Sequence, residues 1–267
     1  MLFPDQLCLI RGGGDLATGV AHRLRHAGFP IVVLELDQPR VVRRMVSIAQ
    51  AMFDGEITID DLTAWRMTVG DAANAAHTGL IPVVADSAGV AIAQLHPLVV
   101  VDARMAKTPL DTTMTDAPFV VGLGPGFVAG EHCHAVVETN RGHDLGRVIW
   151  GGPAQPDTGR PEPVLGFEAE RVLHAPASGI LRALKEIGDT IQYGETVAAV
   201  ESQPITAPFI GVLRGLLHDG LTVTANEKVG DLDPRLERRY CFTISDKSLA
   251  VGGGVVEAVL AWLQKKH

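Results

Sequence analysis

Cysteine is scarce in this 267-residue chain. Cys8, Cys133 and Cys241 are odd in number and widely spaced, which excludes a disulfide framework. Runs of lysine and arginine are missing as well. With 23 basic against 31 acidic residues, a formal charge of −8 and no basic stripe, the chain does not read as a nucleic-acid binder. No apolar run reaches the roughly 18 residues that a membrane span needs. The opening Met1-Leu2-Phe3-Pro4-Asp5 shows neither the basic nor the apolar stretch of a secretory signal. Thiols without a disulfide pattern and no visible signal predict a cytoplasmic protein. Also missing are a nucleophile elbow, a Walker lysine motif and an H-E-x-x-H helix, which removes the hydrolase, P-loop NTPase and zincin readings. What remains is 46% hydrophobic and 20% charged, the composition of a folded chain with room for a sizeable core and one or two domains.

The most informative stretch that is present runs from Leu9 to Gly19, LIRGGGDLATG. A short apolar strand enters glycines and then a helical pattern. Gly12, Gly14 and Ala17, with Gly13 and Asp15 between them, fit the G-x-G-x-x-G/A turn that brings backbone close to a pyrophosphate and aims a helix N-terminus at it. A second strand, Ile31-Val32-Val33-Leu34, ends in Glu35, about 20 residues on, where such folds place an acid on a ribose hydroxyl. Asp15 would repel an anion unless Arg11 or a cation compensates. A helix is expected over Asp15–Ala27 and another over about 41–52. Further buried parallel strands are expected at Ile81–Val84, Leu98–Asp102 and Phe119–Val121, followed by strands over His134–Thr139 and Arg147–Trp150, read as antiparallel. A second glycine loop, Gly122-Leu123-Gly124-Pro125-Gly126-Phe127, follows one of these strands. Two glycine loops at strand ends are expected to border one crevice holding a phosphate-bearing small molecule.

The loop 151–163, with three glycines and four prolines, marks the best domain boundary. Beyond it the chain repeats itself. Ala175-Pro176-x-x-Gly179-Ile180-Leu181-Arg182 recurs as Ala207-Pro208-x-x-Gly211-Val212-Leu213-Arg214, an offset of 32 that also maps Gly188 onto Gly220 and Glu195 onto Glu227. One copy cannot cover its own apolar face, so the two are expected to close on each other. The pattern resembles the barrel-sandwich hybrid of biotinyl and lipoyl domains. The hairpin tip that carries their prosthetic group is here Glu201-Ser202-Gln203-Pro204-Ile205-Thr206, without lysine, so neither lipoyl nor biotin is expected. The tail reads as a strand, Tyr240–Ser245, then a helix capped by Asp246 and running to Lys266, with Gly252-Gly253-Gly254 either packing tightly or breaking it.

Catalytic candidates lie in Glu131-His132-Cys133-His134 and in the following Arg141-Gly142-His143-Asp144. Cys133 between two imidazoles is a candidate activated thiolate, with His134, His143 and Asp144 beside it. Glu138 shares a strand face with His134, yet the spacing fits no standard zinc pattern, and no metal site is assigned. Asp102-Ala103-Arg104-Met105-Ala106-Lys107 also stands where open sheets place ligand contacts.

Taken together, Arg11–Gly19, Gly122–Phe127, Cys133–Thr139, Arg141–Val148, Ala154–Gly159, the 32-residue repeat and Tyr240–Lys247 resemble the YqeB-type family of selenium-dependent molybdenum hydroxylase accessory proteins. The likeness extends over nearly the whole chain. It implies a cytoplasmic maturation factor for enzymes akin to xanthine dehydrogenase, similar in kind to the XdhC factors that bind molybdenum cofactor and assist its sulfuration. The family supplies no catalytic residue list. The expected fold is α/β: a Rossmann-like, mostly parallel sheet (1–160), an all-β barrel-sandwich hybrid (166–236), and a C-terminal strand and helix (237–267) returning to the first domain. The expected ligand is molybdenum cofactor or another nucleotide, NAD among them. The expected partner is a molybdenum hydroxylase client, with a homo-oligomer left open. An NAD-dependent oxidoreductase using Glu35, with His143 or Lys107 as acid, and a non-catalytic adaptor are the alternatives.

Overall fold

Four consecutive buried residues form the first strand, β1 (Cys8–Arg11), which feeds through three glycines into helix α1 (Asp15–Ala27). The computed structural model describes all residues except 109, 158, 160–162, 266 and 267. It divides into two compact units, Met1–Pro39 with Ser47–Thr158 and Ile244–His267, and Arg40–Val46 with Gly159–Thr243. Relative to the expected division, Arg40–Val46 joins the second unit and the returning tail begins at Ile244. The expected boundary at residue 160 lies outside the described residues.

In the first unit, α1 ends at Gly28, whose left-handed φ of +94° lets its N–H bond back to Arg25 and Leu24. There follow β2 (Ile31–Glu35), α2 (Ala51–Asp54), β3 (Glu56–Ile59), β4 (Leu62–Arg66), α3 (Val69–Thr78), β5 (Ile81–Ala85), α4 (Val90–Leu95), β6 (Val99–Asp102), β7 (Phe119–Leu123), β8 (Val128–Ala129), β9 (Ala135–Val137), β10 (Val148–Ile149) and β11 (Gly152–Pro153). Among the described residues, nine strands make one sheet in the order β10-β9-β7-β6-β1-β2-β5-β4-β3. The seven from β9 to β4 are parallel, and the outermost strand on each side is antiparallel. The chain runs outward from β1 through β2, then crosses to β6, so the strand order reverses at β1. Both sheet faces are covered, which is why the inner strands read as unbroken apolar runs. Leu9, Val32, Leu34, Val100 and Val120 pack with Ala72 of α3 and Ala91 of α4 on one face. On the other, Phe119 stacks on Trp262 of helix α5 (Asp246–Gln264), ring centroids 4.9 Å apart.

The triple glycine does not break α5. A β-carbon on Gly252 would collide with the Gly19 carbonyl of α1, and one on Gly19 with the Ser248 carbonyl. The two helices therefore meet backbone to backbone. Ser245, not Asp246, caps α5, its Oγ accepting from the Ser248 N–H at 3.1 Å. The expected helix end at Lys266 lies outside the described residues. Tyr240–Ser245 is not a strand. Arg238–Cys241 forms a 3₁₀ turn, held by Arg235 and Arg239 over the Tyr240 ring and Arg238 over Phe242. The expected helix at 41–52 is replaced by 3₁₀ turns at Arg44–Val46 and Ile48–Gln50 and the short α2. The strand at 134–139 shrinks to β9, parallel to β7 and antiparallel only to β10.

The second unit holds β12 (Val172–His174), β13 (Gly179–Ala183), β14 (Thr190–Ile191), β15 (Thr196–Val200), β16 (Gln203–Thr206), β17 (Gly211–Leu216), β18 (Thr222–Val223) and β19 (Lys228–Asp233). They form two antiparallel sheets, β12-β19-β17-β14 and β16-β15-β13-β18. Each sheet mixes strands from both copies of the repeat. Backbone bonds are exchanged in matched pairs: Leu181 N–H to Leu221 O against Leu213 N–H to Asp189 O, and Gly220 N–H to Leu181 O against Gly188 N–H to Leu213 O. The copies differ in cover. Val212 and Leu216 are buried, whereas their counterparts Ile180 and Leu184 are exposed. Val42 packs against Gly215, and the Arg44 guanidinium donates to the Leu216 carbonyl, so Arg40–Val46 helps cover the second copy.

Candidate functional site at the carboxyl edge of the parallel sheet

The strand order places the β1–α1 turn and the β6–β7 connection side by side where open α/β sheets bind ligands. Gly12 (φ +90°) donates to Leu34 O at 2.8 Å and lies against the Arg104 backbone. The Gly13 N–H donates to Glu35 Oε2 at 2.7 Å, and its carbonyl accepts from Ala49 N–H at 2.9 Å. Gly14, half-buried, is the residue before α1 and offers no side chain of its own as a cap. Asp15 follows in the first turn, its Oδ1 accepting from Leu16 N–H, while Ala17 is fully buried.

Glu35 sits at the end of β2 as the spacing predicts, but it first builds its own loop. Its carboxylate accepts from Gly13 N–H and Leu36 N–H. Burial pushes its pKa up, and the two amide bonds only partly offset that.

Next to Gly12 is a polar network that local patterning did not reveal in full. Asp102, 1% exposed at the end of β6, accepts from Arg104 Nη2 and Thr112 Oγ1, each at 2.6 Å. Arg11, 3% exposed, donates to Thr112 Oγ1 and to Asp111 Oδ2, both at 2.8 Å. Arg104 Nη1 pairs with Asp111 Oδ1 at 2.7 Å. Two guanidinium and two carboxylate groups thus pair, Arg11 and Asp102 buried and Asp111 half exposed. The hydrogen bond from Arg11, with Arg104 beside it, holds the Asp111 carboxyl far below the usual range. Arg11 and Asp111 also line an open cavity of about 1010 Å³ that runs along α4 past Val90, Ile92 and Ala93 to Asp5, Leu98 and Pro118, just ahead of β1, β6 and β7. Gly12, Gly13, Gly14 and Glu35 do not line it. Asp111 and Thr112 escaped the sequence reading because their partners lie about 100 positions away.

The second glycine loop lies at the same edge, since β7 runs parallel to β6 and β6 to β1. Its glycines meet protein. Gly122 lies under the Phe127 ring, Gly124 (φ +70°) against Thr139 and Met105, and Gly126 (φ +98°) against the Ala106 carbonyl. Both glycine loops therefore abut the segment following β6.

The catalytic candidates do not converge. Cys133 is fully buried in the core with Phe127 and Val136, and burial pushes its thiol up to about 11. The expectation of an activated thiolate is corrected: a desolvated thiol stays protonated at neutral pH. His134 turns instead toward Phe119, and its Nδ1 accepts from Val120 N–H at 3.0 Å. His132 Nδ1 likewise accepts from Val128 N–H. His143 is exposed, and Asp144 pairs with Arg147 and accepts from Gln155. Glu138 is a loop organiser that local spacing did not reveal, accepting from the N–H groups of Thr139, Asn140 and Gln155. Among the described residues this stretch gathers no metal-binding group. Cys241 lies in the 3₁₀ turn rather than a strand, buried, with its thiol also raised to about 11. Among the described residues no helix is long and apolar enough to cross a membrane.

No family model matches the chain. Among solved structures it is similar to an aspartoacylase family protein from Mesorhizobium loti at 14% identity, covering 85% of this chain and 84% of that one, with a TM-score of 0.27. It is also similar to the product-bound ectoine utilization protein EutE (DoeB) from Ruegeria pomeroyi, at 11% identity, 85% and 84% coverage and a TM-score of 0.26. Likenesses this slight carry no statement about fold or activity. The sequence is much closer to "Uncharacterized protein YqeB" of Escherichia coli (strain K12), 48% identical over 256 residues and 96% of this chain. Those residues make up 47% of that protein, so the chain spans about half the length of this curated relative. Matched from strand to tail at nearly every second position, the chain belongs to the YqeB family.

Proposed function

We propose that this protein is a maturation or cofactor-handling factor for molybdenum hydroxylases of the xanthine dehydrogenase kind. Its ligand is a nucleotide-bearing cofactor of the molybdopterin type, held at the carboxyl edge of the parallel sheet. The observation that carries this reading is the β1–α1 turn at the point of strand-order reversal. It brings the N-terminus of α1 to a half-buried glycine, a place where backbone amides can meet phosphate. Gly122, Gly124 and Gly126 act in this reading by letting neighbouring segments pack closely, and Cys133 is structural.

The second unit supports the finer reading of a barrel-sandwich hybrid, since its sheets exchange strands between two copies of one repeat. The turn joining β15 to β16, Glu201-Ser202, has no lysine to modify. In this reading the unit docks the client enzyme or a second subunit.

The test is mass spectrometry of small molecules retained by the full chain through purification. A phosphorylated pterin or nucleotide in stoichiometric amount is the expected result. A stoichiometric ligand without phosphate would overturn the reading.

A further inference from the structure

His22 and His26 stand four residues apart on α1, so both imidazoles leave the helix on one face. Their ring centroids are 4.4 Å apart. Facing them is Asp61, in the turn that joins β3 to β4. His22 Nε2 lies 3.3 Å from Asp61 Oδ1, and His26 Nε2 lies 2.9 Å from Asp61 Oδ2. One donor atom from each of the three side chains falls within 4.8 Å of the other two. A zinc ion with bonds of about 2.0–2.2 Å brings tetrahedral donors to roughly 3.3 Å from one another, so a modest tightening of these rotamers forms the site.

The surroundings explain why Asp61 is aimed at the helix. Its neighbour Asp60 adopts a left-handed φ of +52°, which aspartate tolerates better than most residues. The Asp60 carboxylate accepts from Ile244 N–H at 3.2 Å, fixing the turn while Asp61 points elsewhere. His22 Nδ1 is buried without a hydrogen-bond partner, so this ring acts through the nitrogen that faces Asp61. His26 and Asp61 are more than half exposed, which leaves the group open to an ion from solvent.

We propose that His22, His26 and Asp61 bind a divalent transition cation, zinc or a close analogue, through two imidazole nitrogens and one carboxylate. Two histidines one helical turn apart with a carboxylate from another element are the donor set that such ions favour, and three protein ligands leave a position for water. The ion ties α1 to the β3–β4 hairpin. This site is independent of the cofactor reading, because it uses none of the residues at the β1–α1 turn.

The experiment titrates the metal-stripped full chain with Co²⁺, reads the visible ligand-field absorption, and then displaces the ion with Zn²⁺. One equivalent of Co²⁺ with tetrahedral or five-coordinate bands is expected. His26→Gln and Asp61→Asn should each weaken binding by more than about tenfold while leaving the circular dichroism unchanged. Both positions are exposed, so neither substitution disturbs the core. The zinc-induced rise in Tm should also be present in the parent and lost in both variants. No binding up to about 1 mM Co²⁺, or binding undiminished in either variant, would overturn the proposal.

Discussion

Two glycine-rich stretches sit at one edge of the parallel sheet, Gly12–Gly14 after β1 and Gly122–Gly126 spanning the end of β7. In the second, each glycine is explained by protein: Phe127 over Gly122, Thr139 over Gly124, the Ala106 carbonyl against Gly126. In the first, Gly12 and Gly13 are explained the same way, by Arg104 and Ala49. Gly14 stands apart by position, half-buried at the start of a 13-residue helix. Glycine permits close approach by anything, and its count alone does not distinguish a ligand from the chain's own backbone. What separates the turns is where each stands in the strand order and what already touches it.

Substitutions sharpen this contrast. Phe127→Ala, which empties the side chain over Gly122, should cost about 3–5 kcal/mol in denaturant unfolding. A loss below about 1 kcal/mol would show that the second loop is open rather than packed. Gly124→Ala adds a β-carbon at φ +70° against Thr139, and should cost about 2–3 kcal/mol from left-handed strain and overpacking together. Gly14→Leu should cost only about 1 kcal/mol, yet in the proposed function it removes ligand binding.

The smallest effect concerns pH. Asp111 is depressed in the folded state by Arg11 and Arg104 from its ordinary 3.8. Its contribution is complete above that ordinary value and is lost as pH falls toward the folded one. Because Asp111 is half exposed, solvent screening keeps the effect below about 1 kcal/mol. Asp111→Asn should therefore lower stability slightly at neutral pH and flatten the acid limb of a stability–pH curve. A curve as steep as the parent's would show that Asp111 is not held by the two arginines.

Much of the sheet was legible because buried parallel strands leave unbroken apolar runs: β1, β2, β5, β6 and β7 all stood out. The β3–β4 hairpin leaves a weaker trace, because Ile57, Ile59, Leu62 and Ala64 alternate with polar residues over two short strands at the sheet's edge. Residues 41–52 carry helical spacing, but Arg40–Val46 and Ser47–Gln50 belong to different units and pack against different partners, Val42 on Gly215 and Ala49 on Gly13. Tertiary contact overrides local propensity there. The repeat predicted that two copies would close together, and its matched hydrogen bonds bear this out. Of the site, the β1–α1 turn was visible in the sequence. The Arg11–Asp111–Thr112 contacts were not, since pairing across about 100 residues leaves no local signature. Cys133 adjoins two histidines in sequence, but it enters the core while each imidazole accepts from a backbone N–H, of Val128 or of Val120.

The most direct measurement is an equilibrium titration of the full chain and of Gly14→Leu with isolated molybdenum cofactor, nicotinamide dinucleotides and simple nucleotides. The account predicts a Kd well below about 1 mM for the parent with the pterin cofactor, and loss of that binding in Gly14→Leu with the fold intact. No ligand bound more tightly than that, or equal binding by both proteins, would contradict it.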